Sequence, residues 1–332
     1  MGEFDLIARY FTRPAKHASL GVGDDCALLQ PAPGMQLAIS SDMLVEGRHF
    51  FRGADPFSLG HKALAVNLSD LAACGARPLA FTLALALPHI DEDWLERFSA
   101  GLWALAEAHG CELIGGDTTQ GPLTICITVF GEVPGGQALL RRGAQPGDDI
   151  YVSGTLGDAR LALEAIRGTI SLPAELLAAA TKRLERPIPR IRLGLALRGV
   201  ATSAIDISDG LTGDLGHILK ASGTGATIDT SIAINLIAIC ARDERAGGTF
   251  DGEKQLEYVL AGGDDYELAF TAPVAARPRV EEAARLSQTA VTRIGRIDSE
   301  AGLRLQDGSG RSLSRSFKSY DHFAPANPDG AE

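Results

Sequence analysis

Nine aspartates stand within two residues of a glycine or serine where apolar runs end: Asp24, Asp25, Asp42, Asp70, Asp117, Asp206, Asp209, Asp264 and Asp265. Taken one at a time, each reads as a turn former or helix cap. Taken together they point to a different chemistry. Carboxylates gathered from several segments repel one another unless cations bind between them, and hard cations such as Mg²⁺ take oxygen ligands that they share with substrate phosphates. Ser40 and Ser41, next to Asp42, add further oxygens. Several Mg²⁺ ions would then hold a nucleotide without a glycine-rich phosphate loop. The common loops are indeed missing, since none of the six lysines follows a glycine and no G-x-G-x-x-G occurs. The G-x-S-x-G and H-E-x-x-H signatures are absent as well.

The chain that carries these residues has 332 of them, 45% hydrophobic and 22% charged, which predicts a globular protein of two domains, long enough for an enzyme. Its net charge of −11 has the wrong sign for neutralising a nucleic-acid backbone, so no nucleic-acid partner is expected. The acidic start, Glu3-Phe4-Asp5, does not read as a secretory signal. Apolar runs such as Leu79 to Leu87 fall short of the roughly 20 residues that span a bilayer. Five widely spaced cysteines without a C-x-x-C pair read as reduced core thiols. A cytoplasmic protein with no membrane partner is therefore expected.

Periodicity and capping supply the elements that must position the aspartates. Helices are predicted near Phe4 to Phe11, Ser58 to Cys74 and Asp91 to Ala108, with Gly75 and Gly110 as stops. Strands are predicted at Gln36 to Ser40, Ala80 to Leu87, Cys111 to Ile114 and Leu123 to Glu132, two of them ending at Ser41-Asp42 and Gly115-Gly116-Asp117. Turn formers from Pro134 to Gly147 mark a boundary, giving domains 1–136 and 137–332. Beyond it come a strand at Asp149 to Ser153, helices near Asp158 to Arg167, Ile191 to Arg198 and Leu211 to Ala221, and a strand at Tyr266 to Thr271. Asn235 to Gly252 shows no clear pattern, and Pro325 to Glu332 reads as a frayed tail.

The motifs, in this order, resemble the thiamine-monophosphate kinases, within the superfamily that includes aminoimidazole ribonucleotide synthetase. They include Glu3-Phe4-Asp5-Leu6-Ile7, Gly21-Val22-Gly23-Asp24-Asp25-Cys26-Ala27, Ser40-Ser41-Asp42 with Gly47-Arg48-His49-Phe50, and Lys62-Ala63-Leu64-Ala65-Val66-Asn67-Leu68-Ser69-Asp70. Ile114-Gly115-Gly116-Asp117, Asp206-Ile207-Ser208-Asp209-Gly210, Gly262-Gly263-Asp264-Asp265-Tyr266-Glu267-Leu268 and Tyr320-Asp321-His322-Phe323 complete the set. The resemblance implies an α/β (α+β) two-domain aminoimidazole ribonucleotide synthetase-like fold, whose N-terminal domain forms a shared barrel in a homodimer. It implies phosphoryl transfer from ATP to thiamine monophosphate with several Mg²⁺ ions, in thiamine diphosphate biosynthesis. Position by position, it implies metal ligation by Asp25, Ser40, Ser41, Asp42, Asp70, Asp117, Asp206 and Asp209. Gly116, Asp117, Arg141 and Ser208 match nucleotide contacts, with Asp117 and Arg141 in the catalytic roles, and His49, Asp264 and Tyr320 match contacts to the thiamine phosphate. Ser41 stands where the family often has Thr and Asp264 where it often has Glu, which leaves Asp265 and Glu267 as alternates for the last contact.

Two other readings stay open on the sequence. A selenophosphate synthetase or hydrogenase-maturation relative would be expected to carry a reactive thiol near one terminus, whereas the outermost cysteines are Cys26 and Cys240. A non-catalytic nucleotide or thiamine-phosphate sensor would keep the fold and could shed metal ligands, and here every metal position retains an oxygen ligand.

Overall fold

The computed structural model describes residues 2–238, 252–315, 317 and 319. Tyr320, Cys240, most of the Asn235 to Gly252 stretch and the Pro325 to Glu332 tail lie outside the described residues.

Two capped helices build the first half. Helix α1 (Glu3–Leu6) runs into a π-helical turn, Ile7–Phe11. Helix α2 (Pro56–Ala73) begins where Asp55 accepts the Ser58 N–H and Pro56 supplies a helical φ at the first position. Helix α3 (Glu92–His109) begins at Asp91, which accepts the Trp94 N–H, and ends at the left-handed Gly110. The two helices meet backbone to backbone. A Cβ on Gly60 would lie 2.0 Å from the Phe98 carbonyl oxygen, and one on Gly101 would lie 1.9 Å from that of Phe57. Gly101→Ala is therefore expected to destabilise the protein by about 3 kcal/mol, because a backbone contact has no side-chain end to give way. A urea unfolding midpoint equal to that of the wild type would refute this close crossing.

Helices α2 and α3 cover a four-stranded sheet in the order β3-β6-β4-β5. Its strands are β3 (Met35–Val45), β4 (Arg77–Leu87), β5 (Glu112–Gln120) and β6 (Thr124–Pro134), with a short hairpin of β1 (Ala18–Leu20) and β2 (Leu28–Leu29) outside it. Only the β4–β5 pair is parallel. Strand β3 does not stop at Ser41-Asp42 and β5 does not stop at Gly115-Gly116-Asp117, as local polarity had suggested. Ser41 pairs with Thr128 and Asp42 with Ile127, and Gly116 and Asp117 pair with Leu83 and Ala84. The partner strands impose extension on these polar segments, so Asp42 and Asp117 are mid-strand residues.

The second half holds a six-stranded sheet in the order β12-β9-β11-β7-β10-β8. Its strands are β7 (Asp149–Ser153), β8 (Ser203–Ile207), β9 (Gly225–Asp229), β10 (Glu267–Ala272), β11 (Val291–Asp298) and β12 (Gly302–Gln306). Helices α4 (Asp158–Ile166), α5 (Ala174–Glu185), α6 (Ile191–Ala196), α7 (Leu211–Ser222), α8 (Thr230–Ala233), α9 (Gly252–Ala261) and α10 (Arg277–Ser287) connect and cover them. The result is a two-domain α+β architecture in which α2 belongs to both halves. One core joins Leu64, Leu68 and Phe98 to Leu268, Phe270 and Val280. Helix α6 seats against α2 so closely that a Cβ on Gly194 would lie 2.0 Å from the Ala72 carbonyl oxygen.

Candidate active site

The polar residues of α2 gather the other segments around them. Asp70, in the last turn of the helix, accepts the Ser40 hydroxyl of β3 at 2.5 Å. A carboxylate there opposes the helix dipole, so the position is not explained by helix stability. One residue earlier, Ser69 donates to Asp206 Oδ2 of β8 at 2.8 Å. The Asp42 backbone N–H, on the edge strand, donates to Asn67 Oδ1 at 3.0 Å, and Asn67 Nδ2 is held by the Ala63 carbonyl. Asp42, Asp70, Asp206 and Asp209 thus share one electrostatic neighbourhood.

Burial governs the protonation of these carboxylates. Burial, reinforced by Asp70 and Asp209, pushes Asp42 up to about 6. Burial likewise raises Asp70, with the Ser40 hydrogen bond and the Arg141 guanidinium opposing it. Asp206 is raised well above the usual carboxylate range by burial and by Asp70. Burial, with mutual repulsion at Asp42 and Asp206, favours the protonated form of these side chains, and bound cations would favour the ionised one.

Two loops at the end of the six-stranded sheet face this cluster. After β8, Asp214 accepts the backbone N–H groups of Ser208, Asp209 and Gly210 at 3.0 to 3.1 Å, which shapes the loop carrying Asp209. Burial and Asp209 nonetheless push Asp214 up to about 7. Before β10, Asp264 N–H donates to the Ser208 carbonyl and Tyr266 N–H to the Ile207 carbonyl, stitching one loop to the other. Asp264 and Tyr266 both have positive φ, 60° and 50°, an uncommon conformation for residues with a Cβ. The Asp264 carboxylate meets the ammonium of Lys62 on α2 at 2.9 Å.

The alternates proposed beside Asp264 are otherwise engaged. Asp265 is buried and takes the Gly157 N–H on both oxygens at 3.0 Å. Glu267 is buried between Ser153, Arg183 and Arg190, at 2.5 to 2.9 Å. Both carboxylates lie inside the fold, Asp265 at 2% and Glu267 at 0% exposure, whereas Asp264 reaches the surface.

The other expected residues are spread over both faces of the first sheet and the loops around it. Side chains alternate along a strand, so Ser40 and Asp42 share the helix-covered face with Val129 and Ile127. Ser41 falls in the row of Thr128 and Thr82 on the opposite face, where its hydroxyl lies 2.9 Å from Thr128 Oγ1. Asp117 is exposed and falls in the row of Ala84, Cys126 and Met43 on that same face. Gly116 is required beside it, because a Cβ there would lie 1.9 Å from the Leu83 carbonyl oxygen. Asp25 is exposed in the loop between β1 and β2, its N–H bonded to Asp24. His49 Nδ1 accepts the Val45 N–H at 3.0 Å at the end of β3. Arg141 is exposed, with its charge acting on Asp70, and Ser208 contributes backbone to the stitched loops. Among the described residues, no three His, Cys, Asp or Glu side chains form a group able to hold a metal ion by themselves. Phosphate and water oxygens would have to complete any Mg²⁺ shell here, as they commonly do.

Lys62, Asn67, Ser69, Asp214 and Tyr266 join the site without having been singled out. Lys62 had a legible signal: it stands at the head of the apolar run Ala63-Leu64-Ala65-Val66, where a helix buries its side chains.

Comparisons with known proteins bear on the chain as a whole. The family described as AIR synthase related protein, N-terminal domain, matches residues 23–133, and its C-terminal domain counterpart matches residues 145–308. The thiamine-monophosphate kinase of Salmonella typhimurium is 46% identical over 97% of this chain and 98% of its own. The crystal structure of thiamine-monophosphate kinase from Stenotrophomonas maltophilia superposes with a TM-score of 0.81 at 43% identity, covering 93% of this chain and 96% of that one. A structure described as AaThiL complexed with AMPPCP and TMP superposes with a TM-score of 0.73 at 30% identity over 89% of each chain.

Proposed function

The chain belongs to the thiamine-monophosphate kinase family of the AIR synthase related proteins, and from that premise we infer that it transfers the γ-phosphoryl group of ATP to thiamine monophosphate, giving thiamine diphosphate and ADP. The observation that carries this reading is the convergence of Asp42, Asp70, Asp206 and Asp209, with Ser40, at one junction of the two domains. The acceptor is a phosphate oxygen already ionised near neutral pH, so no general base is needed. The obstacle is repulsion between two polyanions, and the protein's task is positioning and charge compensation.

The all-oxygen donor set and the unmet negative charge fit Mg²⁺. Mg²⁺ would be held by Ser40, Asp42, Asp70, Asp206 and Asp209, together with Asp25, Ser41 and Asp117 from motif position, and would neutralise phosphate charge. Arg141 adds a guanidinium on the Asp70 side, and Gly116 and Ser208 offer backbone to the nucleotide. His49, Asp264 and Tyr320 take the thiamine phosphate. Chromatographic detection of thiamine diphosphate from ATP, Mg²⁺ and thiamine monophosphate tests the reading, with thiamine and EDTA as controls. Nucleotide binding without product would favour a sensor instead. Asp117→Asn is expected to lower kcat about 100-fold, and unchanged turnover at saturating Mg²⁺ would remove Asp117 from the ligand set.

We take the domain boundary at 136/137 and the active form to be a homodimer with a shared barrel. On edge strand β3, Leu37, Ile39 and Met43 are 39%, 59% and 54% exposed, an apolar row that a second copy would cover. Sedimentation at twice the 34.9 kDa chain mass supports the dimer, and a monomer at micromolar concentration argues against it. No helix among the described residues is long and apolar enough to cross a membrane. The described cysteines are all unbridged, which supports a reducing, cytoplasmic setting.

A further inference from the structure

Lys62 has been given no role in the reaction, yet its surroundings are unusual. The side chain rises from α2 of the first domain, is 6% exposed, and meets Asp264 Oδ1 of the second domain at 2.9 Å. Tyr266 donates its hydroxyl to the same oxygen at 3.4 Å. Both contacts fall on Oδ1, so the second oxygen of Asp264 carries the remaining acceptor capacity, on a side chain that is 37% exposed. The carboxylate is carried by a left-handed residue, Asp264 at φ 60°, two positions before another, Tyr266 at φ 50°, in a loop locked by Asp265 on Gly157 and by Asp264 N–H on Ser208. Such strain persists where the surrounding structure over-determines it, and it clusters at ligand sites.

A domain latch does not account for this arrangement. Helix α2 is already fastened to the second domain by the Gly194–Ala72 approach and by a shared apolar core. Burying an ammonium against a half-exposed carboxylate adds little to that, since an apolar side chain of similar length commonly packs as well. What the pair does provide is direction. Unlike the clustered aspartates, Asp264 has its own cation in Lys62 and needs no metal ion beside it, so its free oxygen suits the end of the acceptor that bears a cationic ring and an amine.

We propose that Lys62 is a positioning residue for substrate recognition: its buried ammonium fixes Asp264 in the orientation in which that carboxylate takes the cationic, amine-bearing part of thiamine monophosphate. This rests on the kinase reading above and assigns Lys62 no contact with the reacting phosphates. The test is steady-state kinetics of the full chain and of Lys62→Met, Lys62→Arg, Asp264→Asn and the Lys62→Met/Asp264→Asn double variant, with melting temperatures for each.

Lys62→Met is expected to raise KM for thiamine monophosphate about 10- to 100-fold, to change KM for ATP less than about 2-fold, and to leave the melting temperature undiminished. Lys62→Arg should recover part of the loss. The double variant should be no worse than Asp264→Asn alone, since the two residues act as one unit. Equal rises in both KM values, or a lower melting temperature with unchanged KM, would overturn the proposal. Should Lys62→Met not fold, Lys62→Arg and Asp264→Asn carry the same comparison, and a normal KM for thiamine monophosphate in Asp264→Asn would overturn it. Failure of the wild type to form thiamine diphosphate would strike the kinase reading itself. Wild-type turnover with unaltered selectivity in Lys62→Met would strike only this inference.

Discussion

Asp70→Asn lowers kcat by about 100- to 1,000-fold while leaving the melting temperature unchanged or higher. The two halves of this expected result have one cause. Asp70 sits in the last turn of α2, where the helix dipole disfavours it, and burial raises it further. Asn keeps the shape and an oxygen for the Ser40 hydroxyl, so the folded protein loses mainly repulsion. Turnover loses a ligand for the cations that offset phosphate charge. The pH dependence follows from Asp42, whose folded value of about 6 lies above the ordinary 3.8. Its contribution to stability is therefore fully present below about pH 3.8 and is lost as pH rises through about 6. In EDTA the wild type should melt lower at pH 7.5 than at pH 5, and Mg²⁺ should restore much of the difference. Because Asp70 is one of the charges that raise Asp42, Asp70→Asn should flatten that fall. Scanning calorimetry at the two pH values checks it, and a variant that melts lower than the wild type at pH 7.5 would contradict the account.

Residues that act through their own neighbours in sequence were the legible ones. Helices α2 and α3 are legible from apolar periodicity and from the stops Gly75 and Gly110, because both signals are settled within a turn or two, although α2 begins at Pro56, ahead of the expected Ser58. The aspartate set itself was visible as composition beside glycine and serine. Strands β3 and β5 were read too short for a physical reason: Ser-Ser-Asp and Gly-Gly-Asp look like ends locally, and only pairing with β6 and β4 carries the chain on through them. That error hid the alternation which sets Ser40 and Asp42 on one face and Ser41 and Asp117 on the other. Helix α5, the short strands β9, β11 and β12, and helix α10 went unread, since the strands are stabilised by partners distant in sequence. The Lys62–Asp264 and Ser69–Asp206 bonds span 202 and 137 residues, and no local pattern reports such pairs.

Glu267→Ala should cost about 3 to 5 kcal/mol of folding stability, the largest single-residue effect expected in the second domain. The carboxylate is wholly buried and takes Ser153 at 2.6 Å, Arg183 at 2.9 Å, and Arg190 through two nitrogens at 2.6 and 2.5 Å. Both guanidiniums are largely buried, at 20% and 16% side-chain exposure, so removing their shared anion strands two cations away from water. A Cβ on Gly154 would lie 2.2 Å from Glu267 Oε1, which shows how tightly the backbone of that loop closes over the carboxylate. Ser153 extends the dependence, because its hydroxyl also accepts the Leu268 N–H at 2.8 Å and so ties the network to β10. Glu267→Gln should lose a large part of the same stability, since its amide turns N–H groups toward arginines that can only donate. The two variants separate a structural carboxylate from one that meets substrate. Urea unfolding midpoints that fall for both, with KM for thiamine monophosphate changed little in whatever Glu267→Gln enzyme folds, are the expected result. A Glu267→Gln protein as stable as the wild type but with a raised KM would return this residue to the substrate site.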